Sequence, residues 1–105
     1  MAVALSPTLI PQYFIAGQPA SGALLFSYMA GTTTKQAVYI DSSQGTQFTN
    51  PIILNADGYP QDSSGNPCGL WLDPTLAYKF VFSPSTDTDP PTDPIWTIDN
   101  VVAPT

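Results

Sequence analysis

Apolar and polar positions alternate most clearly near the end of the chain. Between residues 77 and 83, Tyr78, Phe80 and Phe82 stand opposite Lys79, Val81 and Ser83. Between residues 95 and 102, Trp96, Ile98, Asn100 and Val102 stand opposite Ile95, Thr97, Asp99 and Val101. A period of two places alternate side chains on opposite faces of a pleated strand, so both segments are predicted as strands. Residues 23–30 differ. Leu24, Phe26 and Tyr28 fall on one face, and Ala23, Leu25, Ser27 and Met29 on the other. A strand that is apolar on both faces is expected to be covered on both. Shorter runs at 12–16, 35–40, 51–55 and 68–72 complete a set of about seven candidate strands.

Polar punctuation separates these runs. The stretches 17–22, 41–45 and 61–67, and the pairs Asp57-Gly58 and Asp73-Pro74, are rich in Gly, Pro, Asn and Asp. These residue types supply the backbone angles and local hydrogen bonds of turns. No long stretch keeps a helical apolar stripe free of Pro and Gly. The expected fold class is therefore all-β: a small antiparallel sandwich or barrel-like domain with an extended N-terminal arm. The arm is expected over residues 1–11, a single β-domain over 12–102 and a short C-terminal end over 103–105. Residues 84–94 have no apolar side chain outside their prolines. They predict an exposed, semi-stiff loop between the last two strands. The arm carries Val3, Leu5, Leu9 and Ile10 with no turn-back signal, and is expected to dock on something, such as a neighbouring chain.

Composition narrows the chemistry. The 105 residues contain two lysines, no arginine, no histidine and eight acids, all aspartate, for a net charge of −6. Sequence-independent binding to nucleic acid needs basic groups against phosphates and is not expected. Binding to anionic membranes fails for the same reason. Without histidine there is no imidazole base, His-dependent triad or His-ligated metal. No apolar run approaches the ~20 residues of a spanning helix. The first residues lack the basic start of a secretory signal and contain Pro7 and Pro11. Cys68 is the only cysteine, which excludes an internal disulfide and marks it as a small buried filler. A soluble protein made in a reducing cytosol is expected.

Each candidate for chemistry competes with a packing explanation. Asp41, Asp57 and Asp73 sit where turns are expected, and turn formation accounts for them. Asp87, Asp89 and Asp93 could offer oxygens to Ca²⁺, but the spacing lacks the mid-loop Gly and terminal Glu of an EF-hand. Trp71, Trp96, Tyr59 and Tyr78 could form a sugar-stacking platform, which makes a carbohydrate-binding module the alternative function. Trp71 and Trp96 are flanked by Leu and Ile, and burial is the default for such positions. Lys35 and Lys79 are expected as solvent-facing gatekeepers on strands. No enzyme, cofactor or metal is expected.

The order of these pieces carries a resemblance. It begins with Tyr13-Phe14 and a Gly/Pro loop, then Gly22-Ala23-Leu24-Leu25-Phe26-Ser27-Tyr28-Met29-Ala30-Gly31. Ala37-Val38-Tyr39-Ile40-Asp41-Ser42 and Asn50-Pro51-Ile52-Ile53-Leu54-Asn55-Ala56-Asp57-Gly58 follow. Gly69-Leu70-Trp71-Leu72-Asp73, Tyr78-Lys79-Phe80-Val81-Phe82 and Ile95-Trp96-Thr97-Ile98-Asp99-Asn100-Val101 close it. This sequence resembles the N-terminal particle-binding domains of tailed-bacteriophage tail fibres and tailspikes, over roughly Pro11 to Val102.

The resemblance implies a β-rich homotrimer in the virion, made in the host cytoplasm. It implies that the domain anchors a tail fibre, tailspike or head spike and serves host attachment indirectly. One end would contact phage tail, head–tail adaptor, portal or capsid-vertex proteins, and the other a fibre or spike protein. The end of the chain at Thr105 marks it, on this expectation, as an excised domain or a free-standing piece. Leu5, Leu9, Ile10, Trp96 and Val101 are the expected interface residues.

Overall fold

The computed structural model describes residues 11–41 and 45–102. The arm residues 1–10, part of the 41–45 turn and the C-terminal end 103–105 lie outside them. The described chain is all-β, in two antiparallel sheets. A two-stranded sheet pairs β1 (Phe14–Ile15) with β2 (Gln18–Pro19). A four-stranded sheet contains β3 (Leu24–Met29), β4 (Ile52–Ile53), β5 (Ala77–Ser83) and β6 (Trp96–Val102), in the order β4-β3-β5-β6.

The register of β3 on β5 sorts the side chains onto two faces. Leu25 pairs with Phe82, Ser27 with Phe80 and Met29 with Tyr78; between them, Phe26 pairs with Val81 and Tyr28 with Lys79. The first face builds the main core. Leu25, Tyr78, Phe80 and Phe82 pack with Ala20, Ala23, Val38, Phe48, Ile52 and Leu54. Tyr13, Ile15, Ile40, Cys68, Leu70 and Leu72 close over it as a second layer. The other face carries a smaller cluster of Phe26, Tyr28 and Val81 with Leu24. Both faces of β3 are covered, as its two-sided apolar pattern requires.

Two segments expected as strands are not ladders. Residues 35–40 and 68–72 make only isolated bridges: Lys35 with Tyr28, and Tyr39 with both Gln47 and Trp71. Each pairing is one residue long and is not continued by its neighbours. Gln36 donates its N–H to the Ser27 carbonyl, while Ile40 donates to Thr46 and Phe48 to Val38. Conversely, Gln18–Pro19 lies in an expected loop and forms a short hairpin with β1, turned by Ala16 and Gly17, both at positive φ.

A side chain extends the β4 edge. The Asn50 carboxamide accepts the Ser27 N–H through Oδ1 at 3.2 Å and donates through Nδ2 to the Ser27 carbonyl at 2.8 Å. It does for Ser27 what a neighbouring strand would do, two residues before β4 begins. Buried Tyr78 is likewise satisfied: its hydroxyl donates to the Ala37 carbonyl and accepts the Asp73 N–H.

Ser83 is the exception. It is fully buried, and its Oγ has no hydrogen-bond partner among the described residues. A buried unpaired hydroxyl costs desolvation without return. Ser83→Ala is expected to raise unfolding free energy by about 1 kcal/mol. Urea denaturation checks this, and a lower midpoint would contradict it.

Candidate interface

Among the described residues β6 is an edge strand. Ile98 and Val102 on it, and Ile95 just before it, are exposed, Val102 at 61%. On the core face, Tyr13, Leu70, Leu72, Phe80, Trp96, Ile98 and Val101 line an apolar groove of about 250 Å³. Trp96 stacks on Phe82 with ring centroids 5.2 Å apart, and Tyr13 stacks on the same ring at 5.3 Å. The wall of the groove is thus an aromatic stack anchored in the core. Burial pushes the Tyr13 hydroxyl up to about 12.

Strict alternation would place Trp96 and Val101 on opposite faces. The structure places both in the groove. Tyr78 pairs with Val101 and Phe80 with Ile98, so Asp99 and Asn100 together face Lys79. This extra residue is a β-bulge, which shifts the side chains after it to the other face. Asn100 takes up the turn with φ of 59°, a conformation Asn tolerates better than most residues. The Asp99 carboxylate accepts the Asn100 and Gly31 N–H groups and holds the bulge against the end of β3. Of the expected interface residues, Trp96 and Val101 therefore come together. Leu5, Leu9 and Ile10 lie outside the described residues.

The aromatic residues weighed as a sugar platform go to separate places. Tyr78 is fully buried. Trp71 is half-buried, and its backbone is paired with Tyr39. Tyr59 is half-buried in the 55–59 turn, where its hydroxyl donates to the Gln12 side chain.

The loop of residues 84–94 is mostly exposed but internally ordered. The Asp87 carboxylate accepts the N–H groups of Thr88, Thr92 and Asp93 and the Thr92 hydroxyl. These bonds, the Thr92 N–H first, hold its pKa well below the usual carboxylate range. Asp89 instead pairs with Lys35, whose ammonium also donates to the Asn50 carbonyl. No group of three or more candidate metal ligands converges among the described residues.

A carboxylate with a depressed pKa contributes stability that is present above its unfolded value and lost as pH falls through the folded one. The loop is therefore expected to keep its order as pH drops through the ordinary Asp range near 3.9. The Thr92 amide shift followed by NMR tests this; a midpoint at the ordinary Asp value would contradict it.

Cys68 is half-buried. Burial, aided by the Asp62 charge, pushes its thiol up to about 11. It is protonated at neutral pH and a poor nucleophile there.

The gatekeeper reading of the lysines needs correction for Lys79. β5 is an interior strand of the sheet, so Lys79 protects no edge. Its ammonium lies over the Tyr28 ring, 5.4 Å from the centroid.

No known protein-family profile matches the chain, and no curated protein matches its sequence.

Proposed function

We propose that this chain is a bacteriophage virion structural protein, a small trimeric β-domain that anchors a tail fibre, tailspike or head spike to the particle. The observation that carries the reading is the open β6 edge with its apolar groove. An exposed edge strand offers main-chain donors and acceptors for pairing. The bulge at Asp99 and Asn100 interrupts this edge, and Trp96, Ile98 and Val101 line the groove beside it. Main-chain pairing at a strand edge gives adhesion, and side chains in the adjoining groove give register. A neighbouring copy is the natural occupant in a homotrimer.

The mechanism is mechanical, with no chemical step. Three β-domains hold each other in register, the apolar N-terminal arm with Leu5, Leu9 and Ile10 contacts the particle, and the end near Val102 faces the fibre. Display of three copies multiplies weak receptor contacts by effective concentration.

The test is incorporation into particles. The chain is expected in gradient-purified virions from the infected host, and a variant with Leu5, Leu9 and Ile10 replaced by Ser is expected to be depleted from them. A chain absent from virions overturns the reading. A triple variant incorporated at the normal level overturns the role of the arm.

A further inference from the structure

The four-stranded sheet has two edges, and they are finished differently. At β4 the Gln61 carboxamide donates to the Ile53 carbonyl at 3.1 Å, and the Asn50 carboxamide pairs with Ser27 where the strand stops. At β6, no described strand pairs with the outer side. Beside that open edge lies the apolar groove, walled by Trp96 and Val101 with Tyr13 and Leu70.

Symmetry limits what can cover this edge in a trimer. Pairing of β6 with β6 of a second copy uses one patch twice, and such an isologous contact closes as a dimer. A ring of three needs a heterologous contact, in which one surface of each copy meets a different surface of the next. The complement of β6 in a neighbouring copy is therefore another segment of this chain.

The N-terminal arm has the matching pattern. Residues 3–9 read Val-Ala-Leu-Ser-Pro-Thr-Leu. Val3, Leu5 and Leu9 alternate with Ala4, Ser6 and Thr8, a strand period with one apolar face. These seven residues equal β6 in length, and none of them is charged. The spacing also fits the bulge. Trp96 and Val101 share the groove although five positions apart, because Asp99 and Asn100 together face one residue. Leu5 and Leu9 share a face at four positions apart. With Leu9 beside Trp96 and Leu5 beside Val101, antiparallel, the bulge takes up the difference of one. Pro7, which has no N–H, then falls next to the bulge, where proline is tolerated in a sheet.

We infer that residues 3–9 of one copy form a strand on the β6 edge of the next, with Leu5 and Leu9 seated in its groove. This contact presupposes the trimeric anchoring reading and specifies the segment that joins the copies. Ile10 precedes Pro11, and a residue before proline is biased to extended backbone, which favours an arm that continues outward over one that folds back on its own domain. The docked arm is the outermost strand of the enlarged sheet, and its free edge and Ile10 remain for the particle.

The experiment is cross-linking of the full-length chain carrying Thr8→Cys and Thr97→Cys, positions opposite each other in this register. Cys68→Ser removes the native thiol. A short bis-maleimide is expected to give covalent dimers and trimers on a denaturing gel, in a yield unchanged by dilution. Leu5→Asp is expected to raise the trimer dissociation constant about tenfold or more, because it buries an unpaired carboxylate, with the dispersed ¹H–¹⁵N spectrum of the domain retained. That second measurement keeps the test open if the cysteine variants misfold. Cross-links confined within single chains, or dimers formed by Thr97→Cys alone, would overturn the inference. A trimeric mass by light scattering without arm-to-β6 cross-links would overturn it and leave the anchoring reading standing. A single-chain mass at every concentration would overturn both.

Discussion

Replacing Phe82 with alanine is expected to remove about 3–5 kcal/mol of stability. Phe82 is fully buried and central to the main core. Its ring is the shared partner of two others, Tyr13 and Trp96. Truncation removes the transfer free energy of the ring and leaves a cavity between side chains from β6 and the N-terminal segment. Aromatic pairs add about 0.5–1.5 kcal/mol beyond area burial, and two such pairs are lost together. A domain of this size has roughly 5–15 kcal/mol in total, so the variant stands near the limit of folding. Phe82→Leu, which keeps most of the volume, is expected to cost far less. Urea unfolding followed by tryptophan fluorescence measures both. A loss below about 1 kcal/mol for Phe82→Ala would contradict the place given to this ring.

Gly58→Ala is expected to cost at least about 2 kcal/mol. Two effects combine. Gly58 has φ of +81°, where any side chain is strained. An added Cβ would also lie 2.4 Å from the Tyr13 carbonyl oxygen and 2.9 Å from the Ala20 nitrogen. Neither neighbour is free to retreat. Tyr13 donates its N–H to the Gly58 carbonyl, and Ala20 donates to the Tyr13 carbonyl, both at 2.9 Å. The glycine is thus where the 55–59 turn and the N-terminal segment touch, main chain to main chain. Gly17→Ala separates the two effects. Gly17 has φ of +80° and open space around it, so it carries the conformational cost of about 1 kcal/mol alone. Comparable losses at the two positions would contradict the close approach.

What the sequence discloses about this molecule follows its periodicity. The alternation in residues 77–83 predicts β5 and both of its faces, and the two-sided apolar pattern of 23–30 predicts that β3 is covered on both. These are strong signals because register fixes every side chain of a long strand at once. Segments 35–40 and 68–72 carry the same residue types but lack a single partner strand. Their pairings are one residue long, too short to impose a period on the side chains.

The candidate surface was half legible. Trp96 and Val101 stand out as apolar residues in an alternating strand, but the bulge that unites them does not. Its signal is the pair Asp99-Asn100, ordinary in a turn and unexpected within a strand. Tyr13, Leu70 and Leu72 join the groove only through tertiary packing.

The anchoring account stands on assembly into three copies. The direct measurement is the solution mass of the purified full-length chain, by light scattering across a dilution series. The account predicts three times the chain mass, held as the protein is diluted. A mass equal to one chain at every concentration would contradict it.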